Sequence, residues 1–248
     1  MFSRNIMFVF ALFMAGSVFS QVKNSQRINQ FIDLSGAVGS SQGTVAASYV
    51  YNWRLGQKKK FEIGIGGRWT TYFGTKKDFL TAGPAKLTRS FTVPFLIVFA
   101  GQNEENFDTL AVQRPLVNMV NATFNLGYHF SSRFYGGINI DVIGFSFGKK
   151  GSAILTGSTD GPGDRTEPNA KPTAFNLLLT GDHDKGSLNS EFFIKYKVAK
   201  KWSIKALYQF AFVEYKTETV KQTVPSGIYG NRFRNKANNV GLGVSYNL

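Results

Sequence analysis

The sequence predicts an all-β protein, a transmembrane antiparallel up-and-down β-barrel, and three observations support this prediction. Apolar and polar residues alternate over long segments. These segments are longer than the roughly five or six residues of a typical soluble strand and reach the roughly nine to eleven that a tilted strand needs to cross a bilayer. A short apolar segment near the N-terminus has the features of an export signal.

The clearest alternation lies in the hairpin from Leu188 to Phe212. Phe192, Ile194 and Tyr196 share one face of its first strand, because side chains two residues apart point to the same side. Polar residues occupy most positions of the other face. The second strand repeats the pattern with Trp202, Ile204, Ala206, Tyr208, Phe210 and Phe212. A strand with one apolar and one polar face is expected in a sheet that separates two environments.

The same alternation predicts eight strands in the whole chain. Tight connections alternate with long polar ones, and in bacterial barrels the short turns face the periplasm while the long loops face outward. Two further apolar segments, Ser90 to Gly101 and Thr173 to Thr180, fall inside the predicted outer loops, and a barrel of ten or twelve strands is the alternative if they also span the membrane. The eight predicted strands are Arg27 to Val38, Gly43 to Leu55, Lys60 to Gly74, Leu116 to Phe130, Arg133 to Gly148, Ser187 to Val198, Trp202 to Lys216 and Lys236 to Leu248.

Residues 1–20 are predicted to be a signal peptide. Arg4 precedes an apolar run from Ile6 to Phe19, and cleavage is expected before Gln21. The run is shorter than the roughly 20 residues of a membrane-spanning helix. Residues 21–248 then form one outer-membrane β-barrel domain. The chain contains no cysteine, so neither disulfides nor a lipid-modified N-terminal cysteine are expected.

Aromatic placement separates this prediction from its main alternative, a soluble lipocalin-type barrel. Such a barrel also alternates, but it keeps its apolar face inside. Aromatic residues gather near the predicted turn ends of the strands, including Trp53, Phe61, Tyr128, Trp202 and Tyr246. An aromatic girdle at the membrane interface is typical of a barrel with lipid outside.

On these features the chain resembles the small outer-membrane β-barrel family of OmpA-like and OmpX-like proteins. The resemblance rests on the signal peptide, the alternating hairpins and the terminal strand Gly241 to Leu248. It implies assembly by the barrel-assembly machinery and a location in the outer membrane. Family members commonly end in an aromatic residue, whereas this chain ends in Leu248, with Tyr246 two residues before it. We expect no periplasmic peptidoglycan-binding domain after the barrel.

Inward positions of the predicted strands carry charges of both signs. An eight-stranded barrel leaves an interior just wide enough for its own side chains, so these residues are predicted to form a packed structural network. A non-enzymatic structural or surface-interaction role follows, and a narrow pore or transporter is the alternative if extra strands widen the barrel. The predicted lumen network is Glu62, Arg68, Asp141, Glu191, Lys195 and Lys205.

Signals for catalysis or cofactors are weak. An outer-rim lipid or peptide hydrolase would need a histidine beside a serine or carboxylate, and His183 with Ser187 and Ser190 nearby is the candidate. A tight turn explains the segment more simply, since Asp and Gly favour such reversals. The segment Thr159 to Asp164 lacks the ligand spacing of a calcium loop. We therefore predict no enzyme activity, no catalytic residues, no metal site and no cofactor.

The chain is strongly basic, with 29 Lys and Arg against 15 Asp and Glu and a formal net charge of +14. Nucleic acid is not expected as a partner of an exported barrel. Outer-membrane lipid and the phosphates of lipopolysaccharide are the predicted partners, since clustered cations at the outer rim bind phosphate well. The predicted lipopolysaccharide contacts are Lys149, Lys150, Lys216, Arg232 and Arg234.

Overall fold

The computed structural model describes residues 27–90, 101–157, 164–179, 183–223 and 229–248. The predicted signal peptide, most of the segment Ser90 to Gly101 and most of the loop Thr159 to Asp164 lie outside the described residues. In the described part, every strand pairing is antiparallel, and thirteen strands belong to one sheet. None of the helices in these ranges is long and apolar enough to cross a membrane.

The strands are named here in chain order. A short helix, α1 (Ala85–Thr88), and a 3-10 turn (Glu104–Asn106) lie between β4 and β5. Two short strands, β13 and β14, pair only with each other. The bounds are β1 (Ile28–Gly39), β2 (Gln42–Leu55), β3 (Phe61–Gly74), β4 (Lys76–Thr81), β5 (Thr109–Gln113), β6 (Leu116–His129), β7 (Phe134–Gly148), β8 (Gly151–Thr156), β9 (Asp164–Pro172), β10 (Phe175–Leu177), β11 (Leu188–Lys197), β12 (Trp202–Lys216), β13 (Gln222–Thr223), β14 (Tyr229–Gly230) and β15 (Arg232–Asn247).

The long strands pair edge to edge in a closed ring. β1, β2, β3, β6, β7, β11, β12 and β15 follow one another in this order, and β15 pairs back with β1. Each coincides with a predicted strand to within one residue at either end, except that β15 begins at Arg232 rather than at Lys236. Because the ring is closed, each of these strands pairs with a neighbouring strand on both sides.

The ring has an apolar outside and a polar inside. On β1, Ile32 and Leu34 are about half exposed, whereas Asp33 between them is only 1% exposed. The neighbouring strand β15 continues the outer face with Val244, which lies opposite Leu34. This distribution is the reverse of that in a soluble protein, because the charged side chains are buried and the large apolar ones are exposed.

A second, smaller ring stands at one end of the first. β9, β8, β5 and β4 pair in this order. β9 also pairs with the C-terminal end of β12, and β4 pairs with the N-terminal end of β15. β12 and β15 pair with each other, which completes the ring. Its interior is an apolar core that includes Phe79, Leu110, Val112, Leu155 and Phe233, each at most 1% exposed. The sequence-based prediction assigned β4, β5, β8 and β9 to outer loops and therefore missed this ring.

The segment Thr173 to Thr180 lies in the wall of the large ring, as far as it is described. β10 pairs with β7 at Ile143–Phe145, just beyond the point where β11 pairing with β7 ends at Ile140. The backbone N–H of Thr173 donates to the carbonyl of Glu214 on β12. This segment therefore lies beyond the N-terminal end of β11. It adds no further strand to the closed ring of the described residues.

The two ends of the ring differ in their connections. The turn end carries the short connections at residues 56–60, 130–133 and 198–201 together with Arg27 and Leu248. The loop end carries the second ring and the long connections, and β1 and β2 are joined there by the two residues 40–41.

Candidate functional site

The centre of the ring holds a continuous chain of buried ion pairs. Lys195 Nζ lies 2.8 Å from Asp33 Oδ1, and Lys205 Nζ lies 3.1 Å from Asp33 Oδ2. Lys205 Nζ also lies 2.7 Å from Glu191 Oε2. Arg68 continues the chain at 3.3 Å from Glu191 Oε1 and 2.5 Å from Asp141 Oδ1. We call these six residues the ionic network: Asp33, Arg68, Asp141, Glu191, Lys195 and Lys205.

The ionic network contains three carboxylates and three cations, so its formal charges balance. Each of its side chains is at most about 5% exposed. Burying single charges away from water costs several kcal/mol each, and pairing with hydrogen bonding is what offsets that cost. Removal of any one of these charged groups would therefore leave an uncompensated charge in the interior.

Further hydrogen bonds fix the end of the network at Asp141. Asp141 Oδ2 accepts from the Asn121 side chain at 2.7 Å and from the Asn189 backbone N–H at 2.9 Å. The Arg68 guanidinium also donates to the carbonyl of Asn189. Because these groups come from β3, β6, β7 and β11, the network connects four neighbouring strands through the interior.

Glu62 lies apart from the ionic network, at the turn end of the ring. Its carboxylate lies 2.6 Å from His129 Nε2 and 3.0 Å from Arg54 Nε. It also accepts hydrogen bonds from Asn29 and Asn52, at 2.9 Å and 3.0 Å. The structure thus brings five of the six predicted lumen residues together and places Glu62 in a separate cluster.

Asp33 is the member of the network that the sequence analysis missed. The sequence carried the signal, because Asp33 alternates with the outward residues Ile32 and Leu34 and so has inward parity. Lys195 and Lys205 do not both contact Glu191 directly. Lys195 joins the network only through Asp33.

Aromatic side chains fill the interior on the turn side of the network. The ring of Tyr135 lies over Gly127, where an added Cβ would overlap the Tyr135 hydroxyl. Phe193 packs in the same way over Gly137, at 2.8 Å from the position of such a Cβ. On the loop side, buried Tyr72, Met119 and other residues belong to the apolar core shared with the second ring. Side chains thus pack on both sides of the ionic network.

The candidate hydrolase residues are not arranged for catalysis. His183 is exposed, whereas Ser187 is fully buried and its Oγ accepts the backbone N–H of Glu214 at 3.0 Å. No hydrogen bond joins His183 to either serine within the described residues. The part of the chain that the structure describes contains no group of three or more His, Asp or Glu side chains that could hold a metal ion.

The predicted lipopolysaccharide contacts divide into two groups. Lys149 and Lys150 are exposed and Lys216 is partly exposed near the loop end. Arg234 is buried and lies 2.9 Å from Glu214 Oε2, and Arg232 turns to the same carboxylate at 3.4 Å. The prediction for Arg234 is corrected accordingly, because its guanidinium neutralises a buried carboxylate and does not face outward.

A basic recess of about 450 Å³ opens at the turn end. It is lined by inward residues such as Phe31 and Tyr135 and by residues of the short turns. Its cationic lining residues are Arg54, Lys58, Lys59, Lys60, Arg133, Lys195 and Lys197, and none of its lining residues is Asp or Glu.

These features define an all-β protein with a closed antiparallel sheet, a charged interior and an apolar exterior. No protein-family model matches the chain, and no curated protein matches it in sequence. Solved structures similar to it include a major outer membrane protein from Thermus thermophilus, at 11% identity and a TM-score of 0.36, covering 89% of this chain and 99% of that one. Neisserial surface protein A matches at 9% identity and a TM-score of 0.32, covering 88% and 94%. A third is a de novo designed transmembrane β-barrel, at 6% identity and a TM-score of 0.33, covering 89% and 95%.

Proposed function

We propose that this chain is an outer-membrane β-barrel in which the eight long strands of the closed ring span the membrane. The observation that carries the proposal is the reversed polarity of the ring, with an ionic network inside and apolar side chains outside. A lipid-embedded sheet must be closed, so that every backbone polar group is paired, and its outer face must match hydrocarbon, whereas its interior can be polar.

The extent of the apolar outer face supports a membrane rather than a protein partner. Soluble monomers rarely expose contiguous apolar patches larger than a few hundred Å². Here exposed apolar side chains occur on all eight strands of the ring, for example Leu34, Val45, Ile65, Phe124, Phe145, Ile194, Ile204 and Leu242. A surface that surrounds the whole ring fits lipid better than any single docking partner.

The proposed role is structural or surface-interacting rather than conducting or enzymatic. Paired charges fill the middle of the ring, and the apolar core of the second ring covers its loop end. The second ring is then the part available to partners outside the cell. Exposed Lys149 and Lys150 remain proposed contacts for lipopolysaccharide phosphates, and the barrel-assembly machinery remains the proposed partner during biogenesis.

Two measurements test this proposal. The protein folded into lipid vesicles is expected to resist urea and to migrate faster than its boiled form in a detergent gel, whereas a monomer that stays soluble without detergent would contradict the membrane assignment. In planar bilayers we expect no reproducible conductance steps. Stable ohmic steps, matched in salt and voltage to those of a known porin, would instead favour the narrow-pore alternative.

A further inference from the structure

We propose that the basic recess at the turn end is a binding site for a small phosphate-bearing anion. Its volume of about 450 Å³ falls within the roughly 300 to 1,000 Å³ typical of small-molecule sites. The inference goes beyond the proposed function, since it concerns a site at the end of the ring opposite the predicted lipopolysaccharide contacts.

The recess carries positive charge that the protein does not itself neutralise. Two of its lining cations are already paired inside the protein, Lys195 with Asp33 and Arg54 with Glu62. Among the described residues, neither Lys58 nor Lys60 forms an ion pair within 4 Å, and the same holds for Lys197. The surplus of cations therefore remains available to a ligand.

The surplus follows from the composition of the two short turns that line the recess, and the third short turn, which does not line it, has the same character. Residues 56–60 read Gly-Gln-Lys-Lys-Lys, residues 131–133 read Ser-Ser-Arg, and residues 199–201 read Ala-Lys-Lys, with no acidic residue in any of them. An ordinary solvated turn mixes charges of both signs, which reduces mutual repulsion. Three separate turns that deliver only cations to one end concentrate positive potential there, and a concave wall strengthens it.

Phosphate is the anion that this donor set fits best. Arg133 provides a planar guanidinium group that can hold two oxygens at once, and the lysines provide compact charges that suit a multiply charged ligand. Ser131, Ser203 and Asn247 add neutral donors to the lining. A ligand with two or more linked phosphoryl groups would engage cations from both turns that line the recess. Such phosphates could belong to a soluble compound or to lipid headgroups at the rim.

The test measures binding of sodium tripolyphosphate to the full chain folded in an uncharged maltoside detergent, by calorimetric titration. The variant Lys58→Gln with Lys60→Gln removes two exposed lysines of the recess. Its matched control is Lys76→Gln with Lys86→Gln, which removes two exposed lysines at the loop end, outside the predicted lipopolysaccharide contacts, and leaves the net charge equal. Circular dichroism verifies that both variants fold. A parallel arm replaces tripolyphosphate with vesicles of zwitterionic phosphatidylcholine that contain or lack anionic phosphatidylglycerol.

We expect the recess variant to weaken tripolyphosphate binding about tenfold and the control variant to leave it unchanged within about twofold. Binding to phosphatidylglycerol vesicles alone, lost in the recess variant only, would keep the phosphate site and assign its source to lipid. Equal weakening by both variants would mean a general charge effect and would overturn the proposal. Absence of any binding to either probe would overturn it as well. A conducting protein would contradict the proposed function without affecting these outcomes.

Discussion

Lys195 on β11 and Lys205 on β12 lie directly opposite each other in the register of the sheet, and both ammonium groups contact Asp33 of β1. Like charges directly opposite on neighbouring strands repel each other. Asp33 compensates this repulsion by pairing with both ammonium groups. It can reach them through the interior, because β1 is separated from β12 only by β15 in the ring. The two lysines would therefore destabilise an open sheet, whereas in the closed ring their pairing with Asp33 stabilises the closed arrangement.

The first prediction concerns Asp33. Asp33→Asn keeps the size of the side chain but leaves buried Lys195 without a carboxylate partner and Lys205 with Glu191 alone. Because an uncompensated buried charge is expensive, we expect a loss of about 3 to 5 kcal/mol in the free energy of unfolding. Urea titration in lipid vesicles measures it. Glu105→Gln, at an exposed position, is the control, and a loss at Asp33 no larger than the control would contradict the network.

The second prediction separates direct from indirect pairing within the network. Glu191 contacts Lys205 at 2.7 Å, whereas Lys195 is joined to it through Asp33. Double-mutant cycles with Glu191→Gln, Lys205→Met and Lys195→Met should therefore give a coupling of about 1 to 3 kcal/mol for Glu191 with Lys205 and a smaller one for Glu191 with Lys195. The reverse order of the two couplings would contradict the observed arrangement.

The sequence predicted the large ring well because each of its strands is long enough for its alternation to be recognised. It predicted the second ring poorly because those strands are short. β4 and β5 have six and five residues, and β9 contains two prolines, which argue against a strand. Parity assigned charges to the interior, but it could not say which ones meet. Which charges meet depends on the position of each residue along the axis of the ring. This position separates Glu62 from Asp33 and Glu191.

The third prediction tests the lipid-facing surface on β15. Its outward residues are apolar from Tyr246 to Val240 and become polar at Asn238 and Lys236, so Leu242 lies in the middle of the apolar stretch. Leu242→Arg should cost about 2 to 4 kcal/mol when the protein folds into vesicles, whereas Asn238→Arg on the same face should cost about 0 to 1 kcal/mol. Equal costs at the two positions would contradict a depth-dependent hydrocarbon environment.

The fourth prediction concerns Glu167 on β9, in the second ring outside the proposed membrane span. Its carboxylate accepts the backbone N–H groups of Glu218, Thr219 and Val220, at 3.1, 2.8 and 2.9 Å. Burial alone would raise the pKa of Glu167, but these hydrogen bonds and one from Asn169 lower it overall. The ionised carboxylate of Glu167 therefore stabilises the loop at residues 218–220.

Because the folded-state pKa of Glu167 is lowered, its stabilisation is fully present above the unfolded-state value of about 4.3 and is lost as the pH falls through the folded-state pKa. Hydrogen exchange at residues 218–220 should show protection at pH 7 that Glu167→Gln reduces by about 1 to 3 kcal/mol. The control Glu218→Gln removes only the exposed pair with Lys171 and should change protection little. Unaltered protection in Glu167→Gln would show that other contacts hold the loop.

The fifth prediction fixes the orientation of the ring in the membrane. The chain has no cysteine, so a single introduced thiol reports one site without background. Glu105→Cys places it in the exposed turn at the loop end, and Gln57→Cys places it in an exposed short turn at the opposite end. Since short turns of bacterial barrels face the periplasm, a membrane-impermeant maleimide should label Glu105→Cys on intact cells and Gln57→Cys only after permeabilisation. Labelling in the opposite order would place the second ring in the periplasm and turn the basic recess toward the cell exterior, where a phosphate ligand would have to come from the medium or from lipopolysaccharide.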